Sequence, residues 1–135
     1  MGTRIEVRTT EREQLLDITD RVREHVAGSG VQAGVVHLWS LHTTCGLTVN
    51  EGADPDVARD VVAAMRRLFP RQGDYRHAEG NSDAHLKTLV AGPGLTLLVE
   101  DGELVLGTWQ HVFLTEWDGP RTRRIAVQVV PGSAE

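Results

Sequence analysis

The stretch LTLLVEDGELVL, residues 95–106, decides the fold class. Two short apolar runs flank the pair Asp101 and Gly102, and Asp-Gly between such runs is a strong signal for a two-residue β-hairpin turn. A hairpin joins antiparallel strands, because parallel strands need a long crossover connection. We therefore expect an antiparallel sheet in the C-terminal half of the chain.

Strand patterns continue on both sides of this hairpin. Residues 109–130, WQHVFLTEWDGPRTRRIAVQVV, predict a second hairpin that turns at residues 118–120. Near the start, residues 3–9 (TRIEVRT) alternate apolar and charged side chains, as a half-buried strand does. Residues 32–42 and 45–50 are typical of two further strands, separated by a polar corner at HTT.

Three segments have helical patterns. The clearest is residues 53–70, with Asp54 as N-cap, Pro55 in the first turn and Pro70 beyond the end. The others are residues 17–30, with Asp17 or Thr19 at the start, and residues 82–92, opened by Ser82 and closed by Gly92 after a long polar loop.

Together these elements predict one α+β domain over residues 1–135, built as an antiparallel β-sandwich or half-barrel with two main helices on one face. A chain of this length can bury most of its apolar surface without disulfides or a structural metal.

Charge and composition narrow the partners and the location. The formal net charge is −5 and the pI is about 5.6, which argues against sequence-independent nucleic-acid binding. No run approaches the roughly 20 apolar residues of a membrane span. A single cysteine and no signal-peptide pattern favour a reducing cytoplasm. We interpret two basic clusters as solvated surface charge: Arg66, Arg67 and Arg71, and Arg121, Arg123 and Arg124.

The segment LHTTCGLTVNEG, residues 41–52, places polar groups at the two ends of a strand. His42 is a candidate general base or metal ligand, or a packing residue, and Glu51 a candidate base or ligand beside Asn50. We interpret Cys45 as a small buried hydrophobe rather than as a nucleophile.

The segment HAEGNSDAHLKT, residues 77–88, has three interpretations. His77, Asp83 and His85 match the ligand types of a catalytic zinc or similar ion with an open position, although their spacing fits no standard zinc motif. The helix start with Lys87 is alternatively an anion site. The third interpretation is a polar loop that happens to contain histidine.

Two further clusters lie near the C-terminus. In GTWQH, Gly107 and Thr108 indicate a β-bulge, and Trp109 either stacks on a planar ring, with Gln110 bonding its edge, or packs in the core. In EWDGPR, turn chemistry explains the residues from 118 to 120 but neither Glu116 nor Arg121. Of these two, Arg121 could clamp a phosphate.

In this order, the stretches HTTCGLTVNE, YRH, DAHLK, LTLLVEDGELVLGTWQ and EWDGPR resemble the YjbQ-like family, an uncharacterised protein family also called secondary thiamine-phosphate synthase. The resemblance covers nearly the whole chain. It implies a small cytoplasmic α+β homotrimer and a weak activity that joins a hydroxymethylpyrimidine diphosphate to a thiazole phosphate, usually with a divalent ion such as Mg²⁺ or Zn²⁺.

The resemblance also implies which residues form the site. His42, Asn50 and Glu51 are then catalytic, and His77, Asp83 and His85 hold the metal. Substrate contacts come from Lys87, Trp109, Gln110, Glu116 and Arg121. Two other functions stay open: a metal-dependent hydrolase of a small phosphorylated metabolite, and a non-enzymatic anion-binding protein.

Overall fold

The computed structural model, which describes residues 3–133, contains two antiparallel sheets whose inner faces share one hydrophobic core. The larger sheet has the order β1-β8-β3-β5-β6 and the smaller one β2-β7-β4. The strands are β1 (Arg4–Arg8), β2 (Gln14–Asp17), β3 (Gly34–Ser40), β4 (Cys45–Glu51), β5 (Gly94–Glu100), β6 (Glu103–Leu104), β7 (Gln110–Glu116) and β8 (Thr122–Pro131). The helices are α1 (Thr19–Ser29), α2 (Pro55–Leu68) and α3 (Ser82–Ala91).

The inner faces follow from the period-2 side-chain pattern of the strands. In β3, Val36 and Leu38 point into the core, whereas the alternating residues His37 and Trp39 are exposed. Leu47 of β4 meets the same core from the smaller sheet. The predicted α+β fold, an antiparallel half-barrel, is therefore confirmed.

The helices complete two apolar clusters. Val22 and Val26 of α1 belong to the core between the sheets. A second cluster joins α2 and α3 to the region of the smaller sheet, with Met65, Ala84 and Trp117 at its centre. The second cluster fixes α3, which carries one wall of the site described below.

The predicted N-cap is confirmed for α2 and differs for the other two helices. Asp54 caps α2 by accepting a hydrogen bond from the backbone N–H of Asp56 at 2.9 Å. The N-cap of α1 is Ile18, not Asp17 or Thr19 as predicted, although the Asp17 carboxylate accepts a hydrogen bond from the backbone N–H of Thr19 at 3.0 Å. The prediction for α3 was wrong by one residue, since Asn81 is the N-cap and Ser82 the first helical residue.

Of the two Asp-Gly pairs in the chain, the one at residues 101–102 forms a hairpin turn and the one at residues 118–119 does not. Asp101 and Gly102 have φ angles of 52° and 74°, as a type I′ hairpin turn requires, and β5 pairs with β6. The second hairpin prediction was wrong: β7 pairs with β2 and β4, and β8 with β1 and β3. The reason lies at Gly119, which lacks a positive φ and donates its N–H to the carbonyl of Arg12 at 3.0 Å. The segment therefore crosses between the sheets.

Two local predictions also need correction. The short strand β2 was missed, because Leu15 and Leu16 precede the helical pattern and merge with it. Gly107 and Thr108 do not form a bulge; they belong to a turn before β7, in which the N–H of Gly107 donates to Gln110 Oε1 at 2.8 Å. Within residues 3–133 no helix has the length and apolar character to cross a membrane.

Candidate functional site

An open cavity of about 470 Å³ lies where β3 ends, α3 begins and the chain crosses from β7 to β8. Its volume is in the range of roughly 300–1,000 Å³ that is usual for small-molecule sites. We call it the histidine cavity, and its lining residues are Leu41, His42, Thr43, Thr44, His77, Glu79, Asn81, His85, Asp118, Arg121 and Arg123.

The guanidinium of Arg121 is held in place at the rim of the histidine cavity. Its Nε donates to the carbonyl of Asp118 at 2.7 Å, and its Nη2 donates to Asp118 Oδ2 at 3.1 Å. Asn81 Nδ2 donates to the same carboxylate oxygen at 2.8 Å. Because more than half of the Arg121 side chain is exposed, its remaining N–H groups are available to an anion.

His42 is tied to the neighbouring strand by its ring. The backbone N–H of Arg124 donates to His42 Nε2 at 2.8 Å, just beyond the last paired residue of β3. Burial, followed by the charges of Arg123, Arg121 and Arg124 and opposed by Glu116, lowers the pKa of His42 below its ordinary value. The ring is therefore neutral at physiological pH.

His77 and His85 face each other in the histidine cavity. Their ring centroids are 5.2 Å apart and the rings are nearly perpendicular. Two imidazoles bound to one tetrahedral metal ion at about 2.0–2.1 Å would have centroids roughly 5 Å apart. The separation therefore suits a shared ion, although residues 3–133 contain no group of three or more His, Cys, Asp and Glu side chains arranged to hold a metal.

The structure does not join Asp83 to the two histidines. The Asp83 carboxylate is fully buried and accepts hydrogen bonds from Arg12 at 3.2 Å and from Lys87 at 2.6 Å. Lys87 is also buried, and it donates to Glu13 at 2.7 Å. Burial raises the pKa of Asp83, but Arg12 and Lys87 overcome this effect and leave it below the usual value. Neither Asp83 nor Lys87 is free for a ligand in this structure.

A larger cavity, of about 530 Å³, lies between residues 11–15 and α2. Three of its charged side chains are already paired: Arg66 Nε donates to Glu13 Oε1 at 2.6 Å, and Arg12 donates to the buried Asp83, which lies outside the lining. The hydrogen bonds from Arg66 and Lys87 lower the pKa of Glu13 against the effect of burial. Glu13, Arg12 and Arg66 of this cavity are therefore committed to contacts within the chain.

Glu116 forms a buried ion pair with Arg123 that links the two sheets. Arg123 donates to both carboxylate oxygens, through Nε at 2.8 Å and through Nη2. Thr9 and the backbone N–H of Asp118 also donate to Glu116. The interpretation of Arg123 as a solvated surface charge was wrong, because it is 2% exposed. Its position, two residues before buried Ile125, is the period-2 signal that could have revealed this.

Four of the predicted site residues lie elsewhere, at the opposite end of the β4–β7 pair. Cys45 pairs with Glu116 at the cavity end of these strands, and Glu51 pairs with Gln110 at the other. The six residue steps from Cys45 to Glu51, at about 3.3 Å each, separate the two ends by roughly 20 Å. We call this second group the GTWQ cluster; it consists of Asn50, Glu51, Trp109 and Gln110.

The polar side chains of the GTWQ cluster make local contacts. Asn50 Oδ1 accepts from the N–H of Glu51 at 2.8 Å, and Glu51 accepts from the N–H of Asp54 at 2.9 Å, which steadies the start of α2. Trp109 is 62% exposed, so it is not a core residue of the single chain. The structure thus brings His42, His77, His85 and Arg121 together and leaves this cluster outside.

Sequence reasoning missed Asn81 and the two threonines of the HTT corner as cavity residues. Asn81 Nδ2 donates to Asp118, which fixes the orientation of the amide. Its Oδ1 is buried and has no hydrogen-bond partner among the described residues. No signal in the sequence separates Asn81 from an ordinary loop asparagine.

The sequence and the fold of this chain recur in known proteins. Residues 3–132 match the family model described as UPF0047 protein YjbQ-like. The chain belongs to the YjbQ-like UPF0047 family. It is 40% identical to a UPF0047 protein of Methanocaldococcus jannaschii, over 93% of this chain and 91% of that protein. It is 38% identical to YugU of Bacillus subtilis, over 93% of this chain and 96% of YugU.

Crystal structures support the same assignment. A YjbQ/UPF0047 family protein from Clostridium acetobutylicum superposes with a TM-score of 0.93 at 43% identity, covering 94% of this chain and 98% of that chain. A conserved hypothetical protein from Thermus thermophilus gives a TM-score of 0.89 at 48% identity, covering 96% and 100%. The resemblance seen in the sequence motifs is thus confirmed at the level of the YjbQ-like family and its fold.

Proposed function

We propose that the histidine cavity binds a small phosphorylated heterocycle and acts as a transferase of the thiamine-phosphate synthase type. The observation that carries this proposal is the convergence of Arg121, His42, His77 and His85 in one open cavity. In such a transferase a new C–N bond joins the thiazole nitrogen to the pyrimidine methylene carbon. The C–O bond to the diphosphate breaks, and pyrophosphate leaves with the bonding electrons.

The cavity groups suit that leaving group. A departing pyrophosphate gains negative charge, and preorganised donors stabilise it most when they need no rearrangement. Arg121 is already oriented by Asp118, and α3 begins beside the cavity without a side-chain cap, so the positive end of its dipole lies there.

A divalent ion fits this chemistry only in part. His77 and His85 would supply two ligands, and the remaining positions would need water, substrate oxygen atoms or groups from another chain. Such an ion would neutralise charge on the diphosphate.

The test is product formation from the two thiamine precursors with Mg²⁺ or Zn²⁺ present. We expect His85→Ala and Arg121→Ala to lose most of the activity. His25→Ala, on the surface of α1 and outside the cavity, is the matched control and should retain it. Equal activity in the wild type and His85→Ala would refute the assignment of the cavity to this reaction.

A second candidate is a non-enzymatic anion-binding protein. It is favoured by the burial of Asp83, which removes the carboxylate from the predicted metal ligands and leaves a cavity with Arg121 at its rim. This candidate predicts a raised Tm with pyrophosphate and no turnover of either precursor. Release of inorganic phosphate from a phosphorylated substrate would instead support a metal-dependent hydrolase.

We also propose that the protein assembles as a homotrimer in which the GTWQ cluster of one copy completes the histidine cavity of another. Support comes from the separation of roughly 20 Å between the two groups along β4 and β7 and from the exposure of Trp109, Trp39 and Leu41. Light scattering should give three chain masses of 14.8 kDa.

Subunit mixing tests the shared site. His85→Ala chains and Trp109→Ala chains should each be inactive alone and should recover part of the activity when refolded together. In some mixed trimers, a cavity with an intact His85 from one chain meets an intact Trp109 from another. No recovery in verified mixed trimers would contradict a site shared between copies.

A further inference from the structure

We infer that His42 is held as the Nδ1–H tautomer and serves as a fixed hydrogen-bond donor to an anion in the histidine cavity, acting neither as a metal ligand nor as a general base. The inference deepens the proposed function and rests on it, since it names what one cavity residue does toward the phosphate group. It also decides between interpretations of His42 that the sequence leaves open.

His42 Nε2 accepts a hydrogen bond from the backbone of β8. A backbone N–H can only donate, so the contact of 2.8 Å from Arg124 requires an unprotonated His42 Nε2 with its lone pair directed at the strand. The carbonyl of Arg124 in turn accepts from the N–H of Leu41 at 3.2 Å. The imidazole therefore takes an acceptor position at the point where β3 stops pairing with β8, and its orientation is set by the sheet.

The proton of the neutral His42 ring is on its other nitrogen, Nδ1. A neutral imidazole carries one proton, so Nδ1 must hold it when Nε2 accepts. Nδ1 has no hydrogen-bond partner within residues 3–133, and the side chain lines the cavity beside Arg121. The charged groups that act on the ring are Arg121, Arg123 and Arg124, partly offset by Glu116, and together with burial they disfavour a second proton.

The two ring nitrogens leave His42 unable to act as a metal ligand or as a general base. A metal ligand needs a free lone pair, but that of Nε2 is used by Arg124 and Nδ1 bears a proton. A general base needs a nitrogen that can accept a proton from the substrate, and the same two conditions exclude it. What remains is one N–H, on a ring that the Arg124 contact holds in place and that lines the same cavity as Arg121.

Heteronuclear NMR of ¹⁵N-histidine-labelled protein tests the tautomer without any ligand. The His42 resonances can be assigned by their absence in His42→Asn. We expect one protonated nitrogen at Nδ1 and one unprotonated nitrogen at Nε2. This pattern should not change between about pH 6 and pH 8, the range in which an ordinary histidine titrates. A proton on Nε2, or an imidazolium at neutral pH, would overturn the inference.

Two substitutions then separate the ring nitrogens in a pyrophosphate-binding titration. His42→Asn keeps an N–H near the Nδ1 position, and His42→Gln keeps an acceptor near the Nε2 position. We expect His42→Asn to bind pyrophosphate almost as well as the wild type, and His42→Gln and His42→Ala to bind roughly 10-fold to 100-fold more weakly. Wild-type affinity in His42→Ala would overturn the donor role.

The same experiments distinguish this inference from the proposed function. If the Nδ1–H tautomer and the pyrophosphate effects are both observed but no precursor is converted, the transferase proposal fails and the donor role stands. If the wild type does not bind pyrophosphate, the anion site and the donor role fail together, whatever tautomer the NMR spectrum shows.

Discussion

Replacing Glu116 by glutamine should destabilise the protein strongly, although the two side chains have the same shape. Glu116 is fully buried and accepts hydrogen bonds from Arg123, Thr9 and the backbone of Asp118. Glu116→Gln removes the negative charge and turns one acceptor into a donor. Arg123, whose pKa the Glu116 contact raises against the effect of burial, then remains as a buried charge without a counter-ion.

The expected loss is about 3–5 kcal/mol, the usual cost of removing one partner of a buried ion pair. For 135 residues the entropy of unfolding is about 0.3 kcal/mol per degree, which gives a fall in Tm of roughly 10–18 °C. Urea denaturation monitored by tryptophan fluorescence, together with calorimetry, measures both quantities.

The matched control is Glu6→Gln. Glu6 also pairs with an arginine, Arg124, but at 3.8 Å and with both side chains 64% exposed, so its loss should cost less than about 1 kcal/mol. If Glu116→Gln fails to fold, the double variant Glu116→Met with Arg123→Met should fold, because removing both charges leaves neither unpaired. A loss of about 1 kcal/mol or less in Glu116→Gln would refute the role of this pair in joining the sheets.

Three further predictions follow from burial and charge. Burial raises the pKa of Cys45 to about 12, so thiol reagents at pH 8 should label it only after unfolding. Because the pKa of Asp83 is lowered, its contribution to stability is complete above the ordinary carboxyl pKa and is lost as the pH falls through the lowered value; Asp83→Asn should flatten the acid limb of a stability curve. Trp109→Ala should change the stability of the isolated chain by only about 0.5 kcal/mol, while reducing activity or trimer formation.

Local patterns were sufficient for most elements of the fold. The φ angles at Asp101 and Gly102 and the cap at Asp54 follow from single residues and their neighbours, so the sequence predicts them. The course of the chain at Gly119 does not follow in this way, because it depends on a hydrogen bond to Arg12, more than 100 positions away in the sequence. Tertiary contacts of this kind also hide β2 beside the α1 pattern.

In the candidate site, too, local features could be predicted from the sequence and tertiary contacts could not. The sequence identifies His77 and His85 as neighbours because the loop between them is short, and the structure brings their rings together. The i,i+4 spacing of Asp83 and Lys87 on α3 indicates that these two can pair, but the sequence cannot predict that Arg12 also binds Asp83, since that requires knowing how residues 10–14 pack against α3. Spacing along the chain therefore indicates which residue types are available and leaves open which of them are already paired.

Whether a side chain is already paired inside the fold determines how the effect of its substitution on activity should be interpreted. Glu116, Asp83 and Lys87 are buried in ion pairs, so a variant at any of them loses activity whenever the fold is disturbed, and the loss says nothing about substrate. Arg121 and His85 are at least partly exposed in the cavity, and surface substitutions usually change stability by less than about 0.5 kcal/mol. Activity lost at these two positions with an unchanged Tm therefore reports on the chemistry of the cavity itself.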